Sequence, residues 1–118
     1  MGRILVVDDE PLIALLVQEW LAEMSCDVVG PALSVKSALS LMDAVELDGA
    51  IVDVSLGGES SFAVADRLTE RGVPFAFATG YADDEVSARF PGAPILRKPF
   101  TLDDVRAAVA TFRDRAPS

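Results

Sequence analysis

Reactive side chains follow four short hydrophobic runs of this 118-residue chain, and runs of this kind are typical of buried strands. They are Asp8 and Asp9 after Ile4–Val7, Asp53 after Ala50–Val52, Thr79 after Phe75–Ala78, and Lys98 after Ile95–Arg97. Because the carboxyl ends of parallel strands meet at one edge of a sheet, we expect these side chains to lie close together. Three acids, a hydroxyl and an amine in one place indicate metal-assisted phosphoryl chemistry with a carboxylate nucleophile.

Asp53 is the candidate nucleophile, because its carboxylate can attack phosphorus to give an acyl phosphate. The attack brings anions together, so their charge must be offset, and Mg²⁺ or Mn²⁺ suits carboxylate oxygens. Asp8 and Asp9 would hold this cation together with Asp53. Lys98 would pair with one phosphoryl oxygen, and Thr79 would donate a hydrogen bond to another. Each of these groups alone is weak evidence, because a single residue at a strand end is usually a cap or turn residue. The prediction therefore depends on their combination at the ends of four different strands.

The composition is that of one globular domain. Hydrophobic residues make up 51% of the chain and charged residues 25%, and 118 residues are enough to bury a core. No apolar run approaches the roughly 20 residues that span a bilayer, and the first strand begins too early to leave room for a signal peptide. The single cysteine, Cys26, excludes an internal disulfide and is expected to be a small buried residue. We therefore expect a single domain over residues 1–118, with no output domain, in the cytoplasm.

Charge and the absence of histidine exclude several functions. The net charge is −9, which argues against a nucleic-acid-binding surface, because phosphate binding needs clustered lysine and arginine. A chain without histidine cannot carry a phosphohistidine, use a histidine base or build a typical histidine-containing zinc site. Any imidazole in the mechanism must therefore belong to a partner.

Hydrophobic runs and helical periods alternate five times along the chain. The predicted strands are 3–8, 27–31, 50–53, 75–79 and 94–97. The predicted helices are 11–25, one capped by Ser34 that runs to 45, 61–70, 82–90, and one that begins at a Thr101 cap with Asp104 three residues later. Strands that alternate with helices of about 10 to 15 residues pair in parallel through right-handed crossovers. The prediction is a three-layer α/β sandwich with a five-stranded parallel sheet, and the segment 55–59, which contains Gly57 and Gly58, is predicted to be a mobile loop.

At these residues the sequence resembles the receiver domain of two-component response regulators. The matching motifs are Val7-Asp8-Asp9-Glu10-Pro11, Asp53, Thr79-Gly80 and Lys98-Pro99-Phe100. Within that family the segment Pro74–Tyr81, with its Phe-Ala-Thr-Gly-Tyr motif, resembles a subgroup common among single-domain regulators of alphaproteobacteria. The resemblance covers residues 3 to about 113.

The resemblance implies a flavodoxin-like (CheY-like) (βα)5 fold with strand order 2-1-3-4-5. It implies that Asp53 accepts a phosphoryl group from a phosphohistidine of a partner histidine kinase or histidine phosphotransfer protein. It also implies Mg²⁺ bound by Asp9, Asp53 and the backbone carbonyl of Ser55, with Asp8 holding the ion through water.

Further expectations follow from the same resemblance. The peptide bond between Lys98 and Pro99 is expected to be cis. The phosphorylated form is expected to act on a separate downstream protein or to serve as a phosphate sink. The chain would then catalyse only its own phosphorylation and dephosphorylation, and it would be a monomer or weak homodimer that binds neither nucleic acid nor membranes.

One position departs from the family pattern. Many receivers carry Tyr or Phe three residues before the lysine, and that ring turns inward as the threonine moves towards the phosphoryl group. Here the position is Ile95. We hypothesise that Tyr81, two residues after Thr79, reorients and reports the switch instead. The alternative is that Tyr81 only packs over the strand end or faces solvent.

The first helix carries more apolar residues than a core-facing stripe needs. The stripe with helical spacing is Ile13, Leu16, Val17, Trp20, Leu21 and Met24. Leu12, Ala14 and Leu15 fall beside or outside it, and they are either a docking patch for the kinase or the edge of a broad stripe. In the last helix, core spacing is found at Leu102, Val105, Ala108, Val109 and Phe112.

Three rival functions fit the residues less well. A phosphatase with an aspartate nucleophile needs a second acid two residues later, where Ser55 stands. A flavodoxin-like cofactor binder needs a hydroxyl-rich loop after the first strand, where Asp8, Asp9 and Glu10 would repel a phosphate. A degenerate receiver that serves only as a binding surface would lack some of the site residues, and all five are present.

Overall fold

Apart from one short hairpin, strands and helices alternate along the residues that the computed structural model describes, which are 2–80 and 84–115. The strands are β1 (Arg3–Val7), β2 (Asp27–Ala32), β3 (Gly49–Asp53), β4 (Ser55–Leu56), β5 (Glu59–Ser60), β6 (Phe75–Thr79) and β7 (Ile95–Arg97). The helices are α1 (Pro11–Glu23), α2 (Val35–Ala44), α3 (Phe62–Glu70), α4 (Asp84–Arg89) and α5 (Leu102–Arg115). Within these ranges no helix combines the length and the apolar character needed to cross a bilayer.

The central sheet has the order β2-β1-β3-β6-β7, and all of its pairings are parallel. When only the five strands of this sheet are numbered, the order is 2-1-3-4-5, as expected. The predicted three-layer α/β sandwich is confirmed. Every residue of β3 and β6 is buried. Continuous burial follows from helices that cover both faces of a parallel sheet.

Alternate residues of the strands face two separate cores, because side chains of a strand point to opposite faces in turn. On β1, Ile4 and Val6 belong to the core that contains residues of α1 and α5. Leu5 and Val7 belong to the core that contains residues of α2, α3 and α4. The last helix packs as predicted: Leu102 is half-buried, and Val105, Ala108, Val109 and Phe112 are buried.

The predicted helix caps are confirmed. At the start of α2, the backbone N–H of Ser37 donates to Ser34 Oγ at 3.1 Å. At the start of α5, Thr101 N–H donates to Asp104 Oδ2 at 2.8 Å, and Asp104 N–H donates to Thr101 Oγ1 at 3.2 Å. These bonds satisfy backbone donors that a helix leaves free at its N-terminus.

The segment after β3 is a hairpin, so the prediction of a loop over 55–59 is wrong. β4 and β5 pair antiparallel, with Ser55 opposite Ser60. Gly57 and Gly58 connect them with φ values of 58° and 85°. A two-residue hairpin turn in which both residues have positive φ favours glycine at both positions, so the glycine pair was a turn signal rather than a loop signal.

The buried face of α1 differs from the predicted stripe. Ala14, Val17 and Leu21 are the buried residues of this helix, whereas Leu16, which was assigned to the stripe, is 39% exposed. The prediction was therefore wrong for Leu16 and also for Ala14, which was placed outside the stripe. Ala14, Val17 and Leu21 keep helical spacing among themselves, so the buried stripe of α1 is centred on these residues and Leu16 lies outside it. Cys26, just beyond the helix, is buried as expected.

Gly49 offers a test of how tightly α5 packs on the sheet. A Cβ at this position would lie 2.5 Å from Phe112 Cδ2 and 3.1 Å from Ile4 Cδ1. Because overpacking of a core destabilises a protein, we expect Gly49→Ala to lower the free energy of unfolding by about 1–3 kcal/mol in urea denaturation. Gly80→Ala is the matched control, since a Cβ there meets nothing within 4 Å. Equal stability of the two variants would contradict the packing.

Candidate functional site

The strand ends bring four of the predicted residues to one edge of the sheet. Asp8 follows β1, Asp53 ends β3, Thr79 ends β6 and Lys98 follows β7. The pairing of β3 with β6 continues to Asp53, which lies opposite Ala78. Since the parallel strands end almost in register, their carboxyl ends form the shared edge that the sequence predicts.

Lys98 makes the closest contacts between these groups. Its Nζ lies 2.9 Å from Asp53 Oδ2, 3.0 Å from Glu10 Oε1 and 3.5 Å from Asp8 Oδ2. The side chains of Asp8 and Asp53 are only 5% and 9% exposed, whereas that of Glu10 is 58% exposed. The ammonium group is therefore held between two buried carboxylates and a third one on the solvent side.

Backbone N–H groups fix the carboxylates. Ser55 N–H donates to Asp53 Oδ1 at 3.1 Å, and Glu10 N–H donates to Asp8 Oδ1 at 2.9 Å. Asp9 Oδ2 accepts from Gly57 N–H at 2.7 Å, so the turn of the β4–β5 hairpin is tied to the acids after β1. The Asp53 carboxylate thus has one oxygen bound to the backbone and the other bound to Lys98.

Thr79 is buried at the end of β6, and its carbonyl oxygen accepts from Lys98 N–H at 2.8 Å. The peptide bond between Lys98 and Pro99 is cis, as expected. Tyr81, the predicted reporter of the switch, lies outside the described residues. Ile95, in place of the usual aromatic residue, is 39% exposed on the edge strand β7.

Burial and like charge act together on Asp8. Burial, assisted by the nearby Asp53 charge, raises the pKa of Asp8 from its ordinary value of 3.8 to about 6, against the lowering effects of the Glu10 N–H bond and the Lys98 charge. For Lys98, burial alone lowers the pKa, but the hydrogen bonds to Asp53 and Glu10 outweigh it and the pKa is raised above 10.5. The lysine therefore remains charged near neutral pH, and the carboxylates around it repel one another.

The acidic cluster fits a hard divalent cation. Asp8, Asp9, Glu10 and Asp53 each offer a carboxylate oxygen, and these oxygens all lie within 4.8 Å of one another. Mg²⁺ and Mn²⁺ prefer oxygen ligands of this kind. Sequence reasoning identified three of the four acids and missed Glu10. Its signal was an acid at the position before Pro11, where a helix usually has Ser, Thr, Asp or Asn as its N-cap.

Comparisons with known protein families and solved structures agree with the resemblance noted in the sequence. The model of the family described as "Response regulator receiver domain" matches residues 4–110. The solution structure of SdrG from Sphingomonas melonis Fr1 is 44% identical, covers 96% of this chain and 97% of that chain, and superposes with a TM-score of 0.85. The BeF3-activated conformation of SdrG from Pseudomonas melonis Fr1 is 46% identical, covers 92% of both chains, and gives a TM-score of 0.77.

Longer proteins also match. The transcriptional regulatory protein TcrA of Mycobacterium tuberculosis is 32% identical over 120 residues, which cover 98% of this chain and 47% of TcrA. The chain thus spans about half the length of the first curated relatives it matches. In these longer regulators the similar part is one segment of a larger protein.

The raised pKa of Asp8 predicts that its charge destabilises the fold. A carboxyl whose pKa is about 6 in the folded state and 3.8 in the unfolded state favours folding at low pH, and this stability is lost as pH rises from about 4 to 6. We expect Asp8→Asn to raise the free energy of unfolding by about 1–3 kcal/mol at pH 7.5 in EDTA, with no gain at pH 4. Urea denaturation at both pH values measures this, and Glu19→Gln, an exposed acid of α1, is the control. A loss of stability at pH 7.5 would show that the pairing with Lys98 dominates instead.

Proposed function

The chain belongs to the response regulator receiver domain family, and from this membership we propose that Asp53 accepts a phosphoryl group from a partner histidine kinase or histidine phosphotransfer protein. The observation that carries the proposal is the buried Asp53 carboxylate with Lys98 Nζ 2.9 Å from one oxygen. Asp8 and Asp9 lie beside it, and Thr79 ends the next strand of the sheet. The phosphoryl group is then transferred to the chain itself rather than to a separate substrate.

The proposed step is a displacement at phosphorus. A carboxylate oxygen of Asp53 forms the new O–P bond while the P–N bond to the donor histidine breaks. The electron pair of that bond returns to the imidazole nitrogen, and Asp53, already ionised, releases no proton. Lys98 moves from the carboxylate oxygen to a phosphoryl oxygen, and the Thr79 hydroxyl donates to another.

A divalent cation would supply charge neutralisation when bound, in the electrostatic manner of phosphoryl transfer. The residues proposed to hold Mg²⁺ or Mn²⁺ are Asp9, Asp53 and the Ser55 carbonyl, with Asp8 acting through water. The backbone bonds to Asp8, Asp9 and Asp53 support this proposal, because they hold the carboxylates in place before any cation arrives.

Signalling is proposed to follow a population shift. Phosphorylation adds charge and acceptor oxygens at Asp53, Thr79 and Lys98 adjust, and the face made by α4, β7 and α5 changes its conformational balance. That face would act on a separate protein, or the chain would serve as a phosphate sink. Tyr81 remains the proposed reporter in place of an aromatic residue at Ile95.

Phosphotransfer profiling tests the function. Each histidine kinase of the source organism is autophosphorylated with labelled ATP and mixed with the chain and Mg²⁺. We expect rapid transfer from one or a few kinases and none to Asp53→Ala or to the isosteric Asp53→Asn. Asp27→Asn, an exposed acid at the start of β2, is the matched control and should be labelled like the wild type. Label that persists in both Asp53 variants would refute the phosphoacceptor assignment.

The exposed leucines of α1 are proposed to contact the phosphodonor protein. Leu12 is 80% exposed, Leu15 51% and Leu16 39%, and α1 begins three residues after Asp8 at the site edge. Ala14 is buried and no longer belongs to the proposed patch. Large apolar side chains grouped on one solvent face mark a contact surface more often than scattered ones do.

Leu15→Asp tests this patch. We expect the variant to lower the rate of phosphotransfer from the cognate kinase by about fivefold or more, because an interface residue buried on docking can contribute more than 1 kcal/mol. Phosphorylation by acetyl phosphate should be unchanged, since a small donor needs no docking surface. If the rates with both donors fall together, the patch is structural and the docking assignment is wrong.

A further inference from the structure

Glu10 occupies the N-cap position of α1 without capping the helix. Its backbone is extended, with φ −96° and ψ 107°, and its side chain makes no cap hydrogen bond. Elsewhere in the chain the N-cap side chain of Ser34 accepts from the helix backbone. The Glu10 carboxylate instead reaches Lys98 Nζ at 3.0 Å, across 88 positions of sequence. A local rule that is broken for a distant contact indicates a functional constraint at that residue.

Lys98 shares its N–H donors between Glu10 and Asp53. An ammonium group has three N–H donors, and Asp53 and Glu10 take the two shortest contacts of this one, at 2.9 and 3.0 Å. Glu10 lies on the solvent side, with a side chain 58% exposed, whereas the Lys98 side chain is 16% exposed. Asp8 and Asp53 are buried, so Glu10 is the one exposed carboxylate among the three that contact Lys98.

We propose, on the basis of the function proposed above, that Glu10 is a positioning residue that tethers Lys98 in the unphosphorylated protein and releases it when a phosphoryl group forms on Asp53. A phosphoryl group brings two nearly full negative charges and three acceptor oxygens. It attracts Lys98 and repels the Glu10 carboxylate. The free energy needed to break the Glu10–Lys98 pair then opposes phosphorylation and lowers the affinity of the site for the anion.

Beryllofluoride with saturating Mg²⁺ is the probe, because it forms a phosphoryl-like anion on a carboxylate. Trp20 is the single tryptophan and packs edge-on against Phe100, with ring centroids 6.2 Å apart, so its fluorescence follows the segment after Lys98. In the full chain, we expect Glu10→Gln to lower the beryllofluoride Kd about three- to fivefold, the scale of one partly exposed ion pair. An unchanged or higher Kd would overturn the proposal.

Two variants separate a tether from a general charge effect. Glu10→Asp keeps the charge but is one methylene shorter, so the tether predicts tighter beryllofluoride binding here as well. If Glu10→Gln binds more tightly and Glu10→Asp does not, the effect is that of the charge alone, and the tether is refuted. Glu19→Gln removes one exposed negative charge from α1 and should leave the Kd unchanged; an equal gain in this variant would also refute the tether.

The wild-type protein distinguishes this inference from the function on which it rests. If wild type and Asp53→Asn both fail to bind beryllofluoride with Mg²⁺, the phosphoacceptor function itself is wrong. If wild type binds and the Glu10 variants bind no more tightly, only the tether is wrong. Damage to the fold would not produce the expected result, because partial unfolding weakens ligand binding rather than tightening it.

Discussion

The ion pair between Lys98 and Asp53 joins the ends of β7 and β3 across the intervening strand β6, and the site depends on it. Two buried carboxylates, Asp8 and Asp53, would repel each other strongly without a cation between them. The lysine supplies that cation, and its position requires the parallel order of the sheet, which places three strand ends at one edge. The strand order therefore determines the electrostatics of the site, because a different order would leave buried charges unpaired.

Much of this arrangement could be predicted from the sequence because it rests on strong local signals. Apolar runs that end in Asp53, Thr79 and Lys98 fix both the strands and the side chains that follow them. The hairpin at Gly57-Gly58 was missed because two glycines indicate either a loop or a tight turn, and only the antiparallel pairing decides between them. Leu16 was misplaced because helical spacing alone leaves the rotation of a broad apolar face undetermined, and the structure buries Ala14, Val17 and Leu21 instead.

Glu10 shows a different limit of sequence reasoning. Its contact with Lys98 spans 88 positions and depends on a turn geometry that no local pattern specifies. The same holds for Gly57 N–H, which donates to Asp9 across 48 positions. Strand-end acids can be assigned from the runs before them. Their partners cannot, because those contacts arise only when separate loops converge above the sheet.

The aromatic packing around β6 affects how freely Thr79 can move at the site. Phe77, two residues before Thr79, packs edge-on against Phe62 of α3 at a centroid distance of 6.1 Å and also contacts Phe90, the residue after α4, at 5.4 Å. The Arg89 guanidinium lies 4.8 Å from the Phe62 ring centre and pairs with Asp66 of α3 at 3.1 Å. In the described residues the aromatic contacts of β6 thus lie on its α3–α4 side. A displacement of Thr79 therefore meets resistance from packed rings there, whereas the half-exposed Ile95 on β7 offers none of comparable size.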